Sequence, residues 1–481
     1  MSTARTYQVV IGLEVHAQLL TESKLFSHEA TLFGGKPNSQ AGEVTLALPG
    51  TLPKVNKKAI ELAIRLGLAC GSEISRYQIF DRKNYFYPDL PKGYQLTQHR
   101  TPICRGGGID ITTIAGDRRV KLHHIHLEED AGKSMHVAGT DDTVIDLNRA
   151  GVPLVEIVTQ PDLFSAEEAG AFLGEVRKLV RHLDVCDGNM EEGSLRCDAN
   201  VSVRLMTQHE LGQKVEIKNM NSIRNVMRAI QVETERQIRV LEMGAEVVSE
   251  TRTFDVLAGE TFAMRTKENL NDYRYFPDPD VSPVSISEEW LFAIQQAMPA
   301  LPDQLIERLV STYGLPAYDA RLITENKLLY RYFQEVVTLT KNYKAVSNWL
   351  MGPVKEFVNS HPGAAIPVPP ASIARLIGLI EEGQVSFTGA AQRVFPELIR
   401  HPEQDVLHVV QRLDLLMNTN TDELQQVIGE IVREFPLKVE EYKNGKKAIV
   451  KMFMGEAMKR TRGKADPRKC TELITEALNK A

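Results

Sequence analysis

Five stretches before Glu288 place apolar side chains at every second position: Tyr7–Gln18, Val120–Asp130, Leu154–Thr159, Leu195–Leu205 and Lys214–Lys218. That is the side-chain period of a β-strand, so the first part of the chain must build a sheet. Two helical stretches interrupt it, near Ala166–His182 and Ile223–Met243. From Glu288 onward the period becomes helical. Leu305, Leu309 and Val310 share one face behind Pro302, a residue preset for a first helical turn. The predicted fold class is α+β: an α+β body at 1–293, an all-α helical domain at 294–406 and a small α-helical tail at 407–481.

Local punctuation supports that plan. The four prolines of His361–Ser372 read as a connection between helices or as a hinge. Leu424, Val427, Ile428, Ile431, Val432 and Phe435 line one face of a helix that Pro436 ends. Asp466-Pro467 opens the last helix. No internal repeat is expected.

Composition narrows the function classes. With 43% hydrophobic and 25% charged residues, the chain is not wholly disordered. A net charge of −6 argues against a generic polyanion binder. The charge is unevenly spread: Leu437–Ala481 holds 12 Lys/Arg against 6 Asp/Glu, which leaves −12 on the remainder. A small basic helical unit on an acidic body reads as a phosphate-backbone contact or as a solvated cationic face. No run approaches the ~18 apolar residues of a membrane helix. The apolar run Val9–Leu20 is broken by Glu14 and His16, so it is no signal peptide. Five scattered cysteines without CxxC argue against a disulfide framework and for a reducing cytoplasm.

The strands carry unexpected charges. On Val9–Leu19, Glu14 and His16 project from one face beside Gly12. On His123–Asp130, His124, His126 and Glu128 share one face, while Glu129 continues the apolar row of Ile125 and Leu127. A carboxylate in that row must be paired or metal-bound, unless the strand ends at Leu127. Gly151–Val158 is apolar on both faces except for Glu156, which needs a cation, a proton or an ion pair to Arg149. Leu195–Leu205 sets Arg196, Asp198, Asn200, Ser202 and Arg204 opposite its core face, and Lys214, Glu216 and Lys218 alternate likewise. Taken jointly, Glu14, His16, Glu129, Glu156 and Asp198 form a hard-oxygen set with one imidazole, suited to Mg²⁺ or Mn²⁺. Arg196, Lys218 and Lys133 are candidate phosphate ligands. This suggests an ATP or phosphoryl-transfer site on a sheet.

Missing motifs sharpen that reading. Asp130-Ala-Gly-Lys-Ser134 is not a P-loop, because Leu127 stands where its first glycine belongs. G-x-S-x-G is absent and no Cys-His signature occurs, so no amide-cutting nucleophile is evident. The loops Phe80–Thr101 and Asn271–Asp280 mix aromatics with cations, which suits stacking of a base, or an aromatic-anchored loop without a ligand.

Several long motifs together resemble the B-subunit family of the heterotrimeric aspartyl/glutamyl-tRNA(Asn/Gln) amidotransferases. They are Val10-Ile-Gly-Leu-Glu-Val-His16, His126-Leu-Glu-Glu-Asp-Ala-Gly-Lys-Ser134, Asp146-Leu-Asn-Arg149, Pro153-Leu-Val-Glu-Ile-Val158, Met190–Asn200, Asp272-Tyr-Arg-Tyr-Phe-Pro277 and Gly455–Pro467. The resemblance implies a mainly antiparallel cradle domain, a helical domain and a YqeY-like tail. It implies a carbon–nitrogen ligase that phosphorylates the side-chain carboxylate of Glu-tRNA(Gln) or Asp-tRNA(Asn) with ATP. Ammonia from glutamine then displaces the phosphate. Its implied partners are the amidase (A) and small (C) subunits of the heterotrimer and the misacylated tRNA, with no membrane. Implied metal ligands are residues matching Glu14, His16, Glu129, Glu156 and Asp198. The candidate ATP and substrate residues are Lys83, Asn84, Lys133, Ser194, Arg196, Lys218, Asn221 and Arg274. The candidate tRNA-binding residues are Lys443, Lys446, Lys447, Lys459, Arg460, Arg462 and Lys464. Some members carry a four-cysteine zinc knuckle near the stretch Phe26–Leu48; no cysteine stands there in this chain, so no structural zinc is expected. The alternative from another class is a tRNA-binding scaffold whose catalysis belongs to a partner.

Overall fold

A computed structural model describes residues 6–137, 139–266, 273–361, 363–417, 421–461, 465 and 467–480. The chain divides into two compact units, Met1–Leu301 and Pro302–Ala481.

The first unit is built on one large sheet. Its main strands are β1 (Tyr7–Gln18), β2 (Asp81–Asn84), β3 (Tyr94–Thr97), β4 (Gly116–Glu129), β5 (Pro153–Thr159), β6 (Leu195–Leu205), β7 (Val215–Lys218), β8 (Glu250–Asp255) and β9 (Glu260–Thr266). Their spatial order is β9-β8-β7-β6-β1-β5-β4-β3-β2. Neighbours along that path are antiparallel, except for the parallel pair β7–β8. The strand over Tyr7–Gln18 and the strand over Leu195–Leu205 fall where their alternation predicts.

Three helices cover the apolar side: α1 (Lys57–Ala69), α2 (Ala166–His182) and α3 (Ile223–Glu242). Each begins at a residue whose side-chain oxygen accepts from the first-turn amides, namely Asn56, Ser165 and Ser222. Ile11, Leu13, Val15 and Ala17 of β1 are buried among them, with Val155 and Ile157 of β5 and Ala199 and Val201 of β6. Because side chains alternate, this burial commits Glu14, His16, Glu156, Asp198 and Asn200 to the opposite side of the sheet. The core thus decides where the charges go. The helix Glu288–Gln296, where the helical period begins, packs on α1 inside this unit.

The second unit is helical and holds two apolar clusters. One runs from Leu309 to Val410 around Trp349, Leu376 and Phe395. The other runs from Leu424 to Leu478 around Phe453 and Ile474. Within the first cluster two segments share a local backbone form, although their sequences do not repeat. Two helical segments widen over Leu350–Val354 and Ala390–Val394, then stop at His361 (φ −132°, ψ 68°) and His401 (φ −137°, ψ 72°). Apolar residues recur at matching offsets, as in Leu350 with Ala390 and Val358 with Leu398, but few identities are shared. Only the backbone makes the recurrence legible. Among the described residues no helix is long and apolar enough to cross a membrane.

Candidate functional site

Strand register assembles the charged face row by row. Glu156 of β5 stands between His126 of β4 and His16 of β1, and His16 is opposite Arg196 of β6. In the next row Glu14 faces Asp198. Asn200 lies between Gly12 and Glu216 of β7. Directly opposed residues on one sheet face lie ~5 Å apart at Cβ, so their side chains must interact.

Two clusters result, and in each the potential ligand atoms all lie within 4.8 Å of one another. The first is His16, Glu128 and Glu156. The His16 Nε2 is 3.3 Å from Glu156 Oε2 and 3.7 Å from Glu128 Oε1. His126 closes a ring of alternating charge, 3.4 Å from Glu156 and 3.5 Å from Glu128. The second cluster is Glu14, Asp198 and Glu216. Lys218 pairs with Asp198 and lies 3.2 Å from Glu216. Asn200 Nδ2 donates to Glu14 Oε1 at 2.9 Å, while the buried Asn200 Oδ1 has no hydrogen-bond partner. An orphaned oxygen beside three carboxylates is the donor set a hard cation satisfies.

Protonation follows from this crowding. Burial opposes a charge on His16, but the Glu156 carboxylate, with Glu128 and Asp198, outweighs it and lifts the imidazole to about 9. Burial likewise pushes Glu156 toward its neutral form; His16, His126 and Lys83 reverse that and hold the carboxyl well below the usual range. Glu14 is shifted up, first by burial and then by Glu156, Glu216 and Asp198. One cluster is therefore neutralised by imidazolium protons, and the other carries an unresolved carboxylate repulsion.

Glu129 is a correction. It points to the other side of β4 from Glu128, pairs with Lys92 and accepts from Leu96 N at 2.9 Å. Its place in the apolar row demanded a partner, and Lys92 is that partner. Glu128 shares the face of His126 and takes the place expected of Glu129. Glu216 and His126 also belong to the clusters. Their signal was the alternation of Lys214, Glu216 and Lys218 and of His124, His126 and Glu128, which alone looks like a solvated face.

Two large cavities flank the charged rows. One, of about 960 Å³, has Glu14, Glu128, Glu156 and Lys83 in its lining. The other, of about 570 Å³, is lined by His16, Lys83, Arg196, Asp198, Lys218 and Asn221. Asn84 and Arg274 line a neighbouring cavity with Lys83 and Lys218. Lys133 and Ser194 stand apart. Lys133 is exposed on the two-stranded hairpin Lys133–His136/Thr143–Asp146, and the Ser194 hydroxyl is used in its own turn by Asp187 and by Asn189 O at 2.9 Å. Both lie on ladder ends or turns, where strand parity no longer dictates direction.

In the tail, Lys443, Lys446, Lys447 and Lys459 are exposed. Arg460 is paired with Glu434 and, at 3.3 Å, with Glu456. Arg462, Lys464 and Asp466 lie outside the described residues.

Residues 9–292 match the GatB/GatE catalytic domain family, and residues 331–478 match the GatB domain family. Relatives extend over nearly the whole chain. The B subunit of the aspartyl/glutamyl-tRNA(Asn/Gln) amidotransferase of Thermoanaerobacter pseudethanolicus is 44% identical over 476 residues, covering 98% of this chain and 100% of the relative. The proteins of the same name from Thermodesulfovibrio yellowstonii and Caldicellulosiruptor saccharolyticus are 44% identical over 475 and 479 residues, each covering 98% of this chain and 99% of the relative. Family match, relatives and the mainly antiparallel α+β architecture agree: the chain belongs to the B-subunit family of the aspartyl/glutamyl-tRNA(Asn/Gln) amidotransferases.

Proposed function

We propose that this chain is the phosphorylating and amidating subunit of a cytoplasmic tRNA-dependent ligase. It acts on Glu-tRNA(Gln), Asp-tRNA(Asn) or both, with ATP as cosubstrate and Mg²⁺, or Mn²⁺, as the metal. The heterotrimer is completed by the amidase (A) and small (C) subunits. The observation that carries this reading is the pair of acidic clusters on one sheet face, walled by cations and by two cavities.

Glu14, Asp198 and Glu216 would hold one ion, and His16, Glu128 and Glu156 another. Bound divalent ions supply charge neutralisation and in-line alignment for phosphoryl transfer. Lys218, Arg196 and Lys83 neutralise phosphate oxygens as charge develops. A carboxylate is a poor electrophile. Its oxygen attacks the terminal phosphorus of ATP, the bond to ADP breaks, and the resulting acyl phosphate accepts ammonia at carbon with loss of phosphate. This chemistry asks for positioning rather than a protein nucleophile, in keeping with the absence of a nucleophile motif. The exposed lysines of the tail fit contact with tRNA phosphates away from the reacting end.

The test is Mg²⁺-dependent ATP hydrolysis by the assembled complex with charged tRNA, comparing wild type with Glu156→Gln. Loss of at least ~100-fold is expected for a ligand to a catalytic metal. Equal rates would make the chain a scaffold.

A further inference from the structure

Lys83 is in the lining of three cavities, and Arg82, its neighbour in β2, is in the lining of none of them. The Lys83 ammonium is framed by rings, with Nζ 5.2 Å from the centroid of Tyr273 and 5.9 Å from that of Tyr85. Tyr273 belongs to the segment Tyr273–Asp280, which also stacks Tyr275 on His99 with centroids 4.0 Å apart. Whatever holds this segment therefore governs the surroundings of Lys83.

The backbone of the segment holds it weakly. Two of its residues pair with β2, Phe276 opposite Arg82 and Pro277 opposite Asp81, and proline brings no donor to the ladder. Arg274 sits at φ +45°, a conformation that favours glycine. Side chains of β2 supply the fastening. Alternation puts Lys83 on one side of the strand and Arg82 and Asn84 on the other. Asn84 Nδ2 donates to Arg274 O at 2.9 Å and to Tyr273 O at 3.2 Å. Arg82 bridges two acids of the segment, Nε donating to Asp278 and Nη2 to Asp280 at 3.0 Å. Its guanidinium lies 4.2 Å from the centroid of Tyr94 and 5.7 Å from that of Phe276, so ring faces fix the plane of the fork. The Asp278 side chain is 1% exposed, and its second oxygen accepts from Asp280 N at 2.7 Å and Val281 N at 2.9 Å. Asp278 thus shapes the turn with one oxygen and ties it to Arg82 with the other.

Resting on the reading above, we propose that Arg82 is a positioning residue for phosphoryl transfer: by gripping Asp278 and Asp280 it fixes the segment Tyr273–Asp280 along β2, and the segment fixes the ring frame that aims Lys83. Arg82 touches no reactant and acts through Tyr273 and Lys83.

The test replaces the grip by a covalent one. Arg82 and Phe276 are directly opposed in an antiparallel pair, where Cα atoms lie ~4.5–5.5 Å apart, within the span of a disulfide. The assembled complex carries Arg82→Cys/Phe276→Cys, and rates of Mg²⁺-dependent ATP hydrolysis with charged tRNA are compared below the melting onset of the reduced variant. Reduced, it should lose at least about tenfold in kcat; oxidised, with the cross-link confirmed by mass spectrometry, it should recover to within about threefold of wild type. A reduced variant as active as wild type would overturn the proposal, as would a cross-linked one that stays inactive. Failure of the cross-link to form would contradict the pairing on which the grip depends. A second variant, Arg82→Lys, keeps the charge but cannot span both acids. It should fold as wild type does and speed hydrogen exchange about tenfold at the amides of Asp278, Asp280 and Val281, with the amides of α3 unchanged. Unchanged exchange in the segment would also overturn the proposal. Exchange needs no turnover, so the grip can fail while ATP-dependent amidation stands, and can be seen if that reaction is absent.

Discussion

The sharpest consequence of the site concerns the proton on His16 in the absence of metal. Its imidazole is raised from 6.5 to about 9, a net ~3.4 kcal/mol in favour of the charged form at 1.36 kcal/mol per pH unit. The Glu156 oxygen 3.3 Å away supplies most of it: at an effective dielectric of about 20, one such pair is worth ~5 kcal/mol. Burial opposes the charge and consumes part of that gain. Glu156→Gln keeps the shape and removes the charge, so His16 should fall to 6.5 or below, with Glu128 and Asp198 as its remaining acidic neighbours. The assay is an imidazole ¹⁵N NMR titration of the full chain, labelled at histidine and stripped of metal. A linked effect on stability follows. A raised histidine contributes fully below pH 6.5 and loses its contribution as pH climbs through 9. The excess stability of wild type over the variant should therefore shrink between pH 6.5 and 9. A His16 midpoint that stays near 9 in Glu156→Gln would refute the electrostatic assignment.

Other outcomes follow from the same geometry. Glu128→Gln should weaken Mn²⁺ binding at least tenfold by calorimetry with little change in melting temperature. Glu129→Gln should do the reverse, because it strands Lys92 in a site only 11% exposed, at a cost of about 3 kcal/mol. Lys24 is fully buried and its ammonium is lowered to about 8, chiefly by burial. Its unfolded form binds more proton between pH 8 and 10.5, so wild type should gain up to ~3 kcal/mol across that window in urea melts. Lys24→Met should lack that rise, and an equal rise in the variant would exclude Lys24 as its source.

What the sequence made legible was parity. Alternation in β1 and β6 assigned Glu14, His16 and Asp198 to sides of their strands, because a hydrophobic row of six residues admits one register only, whereas Glu156 stood out as the single charge on a strand apolar on both faces. Alternation also separated Glu128 from Glu129 correctly. It could not say which side of β4 faces the site, since that depends on the neighbour to which the strand pairs. His16 opposite Glu156 opposite His126 is a tertiary fact, and with it Glu128 displaces Glu129. Glu216 was hidden for a similar reason: on a four-residue strand between two lysines it looks like any solvated face until β6 sets Asn200 beside it. Ser194 and Lys133, candidates for ATP and substrate binding, lie where strands end and local turns direct the side chains, so strand parity does not place them on the charged face.

The central claim is that two cations sit on this sheet face. Crystals soaked in Mn²⁺ and measured at the manganese edge test it directly. Two anomalous peaks are expected, one among His16, Glu128 and Glu156 and one among Glu14, Asp198 and Glu216. Peaks confined to Glu129 and its surroundings, or none on this face at saturating Mn²⁺, would contradict it.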